Sequence, residues 1–172
     1  IRFIIMKREI IKLTPDHDFS KFDCGNGKAN DYIKNKALLY QEKNLNVTWL
    51  LIENKDIIGF YTLSATSIKP KYFEDTASFP VQVPCILLGW MAVDTKYKGQ
   101  NKGRILMLSA FKKTYKTSKL SPIGIKALKL EALNSKLIEY YKKLELTNIP
   151  NTNIMVITIQ NIEAILSRLK LI

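Results

Sequence analysis

The chain has 172 residues, 27 Lys and Arg against 15 Asp and Glu, a formal net charge of +12 and 47% hydrophobic content. This is the size of one ordinary domain with a substantial core, too apolar for a disordered chain, and it contains no apolar run of about 18 residues that would predict a membrane-spanning helix. Two cysteines, Cys24 and Cys85, and one histidine, His17, argue against a disulfide framework, a zinc site and most histidine-based metal or triad chemistry.

A reduced, cytoplasmic setting fits that cysteine usage. The positive charge suits a polyanionic partner, whether nucleic acid, a nucleotide cofactor or an acidic protein. A chain rich in Lys, Ile and Asn together also carries lysine simply as solvated surface, and the two readings stand side by side.

Ile1 to Ile5 is apolar but short, with no charged segment before it and no small-residue cleavage pattern after it, so it does not read as a signal peptide. Met6-Lys7 reads as a natural start. The expected domain is therefore 6–172, with 1–5 upstream or vector sequence. Lys7 to Leu13 predicts a first strand, ended by Thr14-Pro15-Asp16. His17 falls in a polar link, and Phe19, Phe22, Cys24 and Gly25 mark a compact connection. Ala29, Ile33 with Tyr32, Ala37 and Tyr40 recur at helical spacing and predict a helix from about Lys28 to Lys43. Val47 to Ile52 and Ile57 to Leu63 predict two strands joined by a hairpin turn at Glu53-Asn54-Lys55-Asp56. Ser64 to Val83, with Pro70 and Pro80, reads as a long loop.

The stretch Ile86 to Val93 predicts a buried strand. Asp94 and Thr95 break it, and Gly99 and Gly103 allow a tight turn. Residues at helical spacing, Ile105, Leu108, Phe111 or Lys112, and Tyr115, then predict a helix. A strand, a glycine turn and a helix N-terminus together form an anion site, because the first N–H groups of the helix have no internal partner and the helix dipole adds positive charge there. The turn lacks the Gly-Lys-Ser/Thr of a Walker loop and the triple-glycine spacing of a dinucleotide fingerprint. Beyond it, Thr117 to Pro122 reads as a connector and Ile123 to Ala132 as a strand. Asn134 is the expected N-cap of a short helix whose stripe is Leu137, Tyr141 and Leu144. Asn148 to Asn153 reads as a turn, Ile154 to Ile159 as a strand, and Asn161 to Leu169 as a C-terminal helix capped by its asparagine. The element order predicts an α/β fold with a central, largely antiparallel sheet. Cys24, Cys85, Trp49 and Trp90 read as core residues, and Trp90 is also a candidate for lining an acceptor cleft.

Ala92-Val93-Asp94 before Lys98-x-x-Asn101-x-Gly103, with Tyr140-Tyr141 a strand and a turn later, resembles the GNAT superfamily of N-acetyltransferases, whose loop usually reads Gln/Arg-x-x-Gly-x-Gly/Ala. Asparagine is the residue other than glycine that best tolerates positive φ. The TacT-like acetyltransferase toxins of type II toxin–antitoxin modules are a closer resemblance, and it covers nearly the whole chain from Met6. Phe22-Asp23-Cys24-Gly25 leads into Asn30-Asp31-Tyr32-Ile33. Gly59-Phe60-Tyr61-Thr62-Leu63 stands where that branch has Gly-Tyr-Tyr-x-Leu. Leu87-Leu88-Gly89-Trp90-Met91-Ala92-Val93-Asp94 stands where it has Leu-Leu-Gly-Arg-Leu-Ala-Val-Asp. The departures are Trp90 for arginine, Asn101 for glycine, and Glu145-Leu146 for Gly-Phe after the tyrosines.

The resemblance implies transfer of an acetyl group from acetyl-CoA to an amine, with no metal. It implies that pantetheine pairs with the strand edge near Met91, Ala92 and Val93. The diphosphate would sit on the N–H groups of Gly99, Gln100, Asn101, Lys102, Gly103 and Arg104, with Lys98 and Lys102 adding charge. Asn134 would hydrogen-bond the cofactor near its thiol end. Tyr141 would protonate the departing thiolate, a job suited to a phenol whose reference pKa is about 10, and strand amides would stabilise the oxyanion. Read from its helix alone, Tyr141 is a packing residue on an apolar stripe; Tyr140 takes the catalytic role if the register is one residue off.

The acceptor implied is the α-amino group of an aminoacyl-tRNA, whose low pKa leaves little need for a general base, and acetylation there blocks translation. A ribbon-helix-helix antitoxin is the implied partner, no membrane is involved, and a homodimer is left open. Lys34, Lys36, Lys69, Lys71, Lys112, Lys113, Lys142 and Lys143 are candidates for holding the tRNA backbone, each with plain solvation as its alternative. The competing functions are acetylation of another amine, such as a protein N-terminus or a polyamine, and a basic RNA- or protein-binding module with a decayed cofactor loop.

Overall fold

The computed structural model describes residues 7–73 and 78–172. The expectation for Ile1 to Ile5 lies outside the described residues, as does part of the predicted loop at 64–83. The described strands form one sheet in the order β1-β2-β3-β4-β5-β7-β6. These are β1 (Arg8–Lys12), β2 (Val47–Glu53), β3 (Asp56–Ile68), β4 (Val83–Val93), β5 (Ala127–Glu131), β6 (Thr147–Asn148) and β7 (Ile154–Thr158). β4 and β5 run parallel over Cys85–Leu88, while β1–β2, β2–β3, β5–β7 and β6–β7 are antiparallel. The mixed, largely antiparallel sheet is the expected one. No helix among the described residues is long and apolar enough to cross a membrane. The chain divides into two compact units, one of Ile1–Leu63 and Trp90–Ser109, the other of Ser64–Gly89 and Ala110–Ile172.

In the first unit, β2 and β3 are joined by a two-residue turn in which Asn54 (φ 51°) and Lys55 (φ 76°) are both left-handed, the geometry that matches the twist of paired strands. The predicted first helix is present but interrupted. α1 (Gly27–Asp31) passes through a π-helical turn, Tyr32–Lys36, into α2 (Ala37–Glu42). The Ala37 N–H reaches back five residues to the Tyr32 carbonyl. One extra residue in the turn shifts the phase of everything after it. Ala29, Tyr32, Ile33 and Ala37 stay buried, but Tyr40, placed on the stripe by its spacing, is 38% exposed. Gln41 turns inward instead, donating to the Leu13 carbonyl at 2.9 Å and accepting from the Thr48 N–H at 3.1 Å. Ala29, Tyr32, Ile33 and Ala37 pack with Leu13, Phe22, Cys24, Leu50, Ile52 and Phe60 in one apolar cluster, against which Trp90 and Ala92 lie.

β3 continues through Ser64–Ser67 to Ile68, where a loop was expected. α3 (Lys102–Leu120) also runs on over most of the predicted connector. Its buried face is Leu106, Met107, Ala110, Phe111 and Thr114, which shares Phe111 with the predicted stripe and otherwise lies one position away from it. In the second unit, Ile68, Val83, Cys85, Ala127, Ile149 and Val156 form a separate cluster. α4 (Ser135–Lys143) and α5 (Ile159–Arg168) follow the expected order. The cap of α5 is Thr158, whose hydroxyl accepts from the Asn161 N–H, so the predicted cap residue lies inside the helix.

At Gly59, β3 packs tightly against the end of β4 in the first unit. A Cβ there would sit 2.5 Å from the Ala92 carbonyl oxygen, 3.0 Å from Leu106 Cδ1 and 3.3 Å from Val93 Cα. Gly59→Ala must push Ala92–Val93 away, and overpacking of this kind costs about 2 kcal/mol. Urea denaturation of the variant should show that loss.

Candidate active site

The residues proposed to hold the cofactor in the first unit are contiguous, from the end of β4 to the first turn of α3. Met91, Ala92 and Val93 are half-buried. The ladder from β4 to β5 covers Cys85–Leu88 and does not extend to them. Just before them, the Trp90 N–H donates to the Thr62 hydroxyl at 2.9 Å. Asp94 closes the strand, and its N–H donates to the Ile58 carbonyl at 2.9 Å. Its buried carboxylate accepts from the Lys96 N–H at 2.9 Å, capping the 3-10 turn Thr95–Tyr97, and from the Asp23 N–H at 3.0 Å. The Thr95 N–H returns a bond to the Asp23 carbonyl at 2.8 Å. The Phe22-Asp23-Cys24-Gly25 segment is thereby laced to the start of the loop.

The loop then turns through two left-handed residues, Gly99 (φ 77°) and Asn101 (φ 58°). Asparagine thus takes the backbone conformation for which the resembled loop uses glycine. The Ile105 N–H donates to the Asn101 carbonyl at 3.2 Å. The N–H groups of Lys102, Gly103 and Arg104 precede that bond and have no place in the helical ladder. With the dipole of a 19-residue helix behind them, they suit a diphosphate.

The side chains of the loop divide the work differently from the sequence expectation. The Lys98 ammonium donates to the Cys24 carbonyl at 2.8 Å, so it braces the laced segment as well as adding charge. The Lys102 ammonium is buried and lies 2.6 Å from Glu53 Oε2. Its charge is spent on that pair, so what Lys102 offers an anion is its backbone N–H. Arg104 is exposed, and Gln100 donates from its amide to the Lys96 carbonyl at 3.3 Å. The Glu53 partnership was invisible at the level of motifs, because the two residues stand 49 apart in the chain.

In the second unit, Asn134 caps α4 as expected, its side-chain oxygen accepting from the Leu137 N–H at 3.0 Å. Tyr141 lies on the buried face of that helix at 7% exposure. Its ring meets Tyr140 edge-on at 5.4 Å. Burial, with a smaller contribution from Tyr140, pushes its phenol up to about 12. The hydroxyl has no hydrogen-bond partner among the described residues. A phenol so placed keeps its proton at neutral pH and is unclaimed, as a general acid requires. The Tyr141 carbonyl accepts from the N–H groups of Leu144 and Leu146, which ends the helix. Glu145 between them sits at φ 68°. This is where the resembled sequences carry glycine, and an ion pair with Arg168 on α5 accompanies the substitution. Leu146, replacing phenylalanine, is buried.

No family model matches the sequence. A tRNA-acetylating toxin of Mycobacterium tuberculosis is 24% identical over 132 residues, which are 76% of this chain and 78% of that protein. The structure of AtaT complexed with acetyl-methionyl-tRNAfMet matches with a TM-score of 0.84 at 25% identity, covering 92% of this chain and 99% of that one. A tyrosine-to-phenylalanine mutant of AtaT, bound to the C-terminus of the antitoxin AtaR and acetyl-CoA, matches at 0.77 and 26% identity, covering 94% and 99%.

Two outcomes follow from this geometry. Glu145→Gly removes a left-handed side chain and loses only an exposed ion pair, so it should stabilise the protein by about 1 kcal/mol in a urea titration. Tyr141 holds its proton more tightly when folded than when unfolded, so it withdraws stability as pH rises from about 10 towards about 12. Tyr141→Phe should therefore lose less stability than the parent between pH 9 and pH 11, a difference that paired melts at about those values would read. In fold and in sequence, the chain is similar to the tRNA-acetylating toxin and to the toxin AtaT.

Proposed function

We propose that residues 6–172 act as one domain that acetylates the α-amino group of an aminoacyl-tRNA and so blocks translation in the cytoplasm. The observation that carries this reading is the likeness, over nearly the whole chain, to AtaT, whose complexes hold acetyl-CoA in one case and acetyl-methionyl-tRNA in another. AtaT is bound by the antitoxin AtaR, which supports a neutralising antitoxin for this chain, in this reading one of ribbon-helix-helix type.

Acetyl-CoA supplies the acetyl group as a thioester. The N–H groups from Gly99 to Arg104 hold its diphosphate, with Lys98 and Arg104 contributing charge, and the backbone of Met91, Ala92 and Val93 pairs with pantetheine. Asn134 bonds the cofactor near its thiol end. The acceptor attacks as a neutral amine. An α-amino group titrates near 8 against about 10.4 for lysine, and an ester lowers it further, so no strong base is required. Strand amides stabilise the oxyanion. The new C–N bond forms, the C–S bond breaks, Tyr141 gives its proton to the sulfur, and the surplus proton on the attacking nitrogen leaves through solvent, from which the phenol is reprotonated.

The decisive assay incubates the protein with acetyl-CoA and charged tRNA and looks for the N-acetyl-aminoacyl ester; absence of product with every charged tRNA removes the toxin reading. Tyr141→Phe should bind acetyl-CoA as tightly as the parent by calorimetry and turn over at least a hundredfold more slowly, the scale of a lost general acid. Affinity for tRNA should fall steeply between about 50 and 200 mM salt as lysine–phosphate contacts are screened.

A further inference from the structure

We infer that Glu53 is a positioning residue for the diphosphate loop, acting through a buried ion pair with Lys102; this rests on the acetyl-CoA reading above. Glu53 ends β2 at the hairpin, and Lys102 is the first residue of α3. The two side chains are 7% and 8% exposed. Glu53 Oε2 lies 2.6 Å from the Lys102 ammonium, and Oε1 lies 2.5 Å from the Arg8 Nε on the neighbouring strand. One carboxylate thus ties β1, the β2–β3 hairpin and the start of α3 together.

The consequence concerns the backbone. Lys102 follows Asn101, held at φ 58°, and its N–H is the first of the three that precede the helical ladder. An anchored side chain fixes that N–H and, through it, the direction in which the following two point. Oriented dipoles bind an anion best when they need no rearrangement on binding. The buried carboxylate also takes up the charge of the Lys102 ammonium, which leaves the amides as the donors at this position. Removing the carboxylate strands a buried cation. The lysine then swings toward water, and the first turn of α3 loosens with it.

The test compares two ligands, CoA and S-acetyl-pantetheine, which lacks the diphosphate. In Glu53→Gln the dissociation constant for CoA should rise at least tenfold, that for S-acetyl-pantetheine should change less than twofold, and kcat at saturating acetyl-CoA should be retained. Equal losses for both ligands, or no loss for CoA, overturn the inference. If Glu53→Gln does not fold, the double variant Glu53→Leu/Lys102→Met carries the test, because an apolar pair of similar volume can anchor the same backbone. It should bind CoA within threefold of the parent. A tenfold loss there, with S-acetyl-pantetheine binding intact, would mean that the lysine ammonium acts on the diphosphate directly, and would overturn the proposal. A parent protein that binds neither ligand sinks the acetyl-CoA reading itself and this inference with it, a result distinct from all the others.

Discussion

The end of the first unit proposed to take the cofactor depends on one buried carboxylate. Asp94, at 3% exposure, receives backbone N–H groups from both directions, from Lys96 just ahead of it and from Asp23 seventy-one residues earlier. A buried carboxylate without such donors would be costly, and one with them is a strong junction, because hydrogen bonds to an ionised acceptor are shorter and stronger than neutral ones. The junction explains why Phe22-Asp23-Cys24-Gly25 and Ala92-Val93-Asp94, far apart in sequence, occur together in the resembled pattern. The Thr95–Asp23 backbone bond and the Lys98–Cys24 bond complete the lacing.

Much of the strand order was readable from sequence because the strands are β-branched or aromatic runs closed by clear breakers. The misses have local causes. β3 reaches Ile68 through Ser64-Ala65-Thr66-Ser67, residues small and polar enough to look like a loop, yet able to pair in a sheet. The face of α3 was misplaced because Ile105, Leu106, Met107 and Leu108 are all apolar, so periodicity alone fits more than one stripe, and packing decides for Leu106 and Met107. Thr158 displaced Asn161 as a cap because either residue type serves, and only the geometry of the preceding strand selects between them.

The candidate site was readable in outline for a different reason. Its loop uses backbone groups, and backbone geometry leaves a trace in glycine and asparagine. Asn101 and Glu145 are the instructive cases, since both stand where the resembled sequences have glycine and both are left-handed. In this chain the residue is not glycine at either position, yet the backbone is left-handed at both. Side-chain direction left no such trace. That the Lys102 ammonium lies against Glu53 rather than solvent is a fact of tertiary packing, and the spacing of the loop motif carries no record of it.

The π-helical turn at Tyr32–Lys36 has a consequence for how this helix is compared with others. Each residue of an α-helix advances about 100° around the axis, so one inserted residue re-phases all that follow. A relative whose first helix is uninterrupted would align with this chain only through a one-residue gap at that turn. Ungapped alignment would equate Tyr40 with an inward position and hide Gln41, the side chain that bridges Leu13 and Thr48. An insertion of this kind leaves the apolar interior intact while presenting a different row of side chains outward, so relatives that share a core can still differ in what they display to a partner.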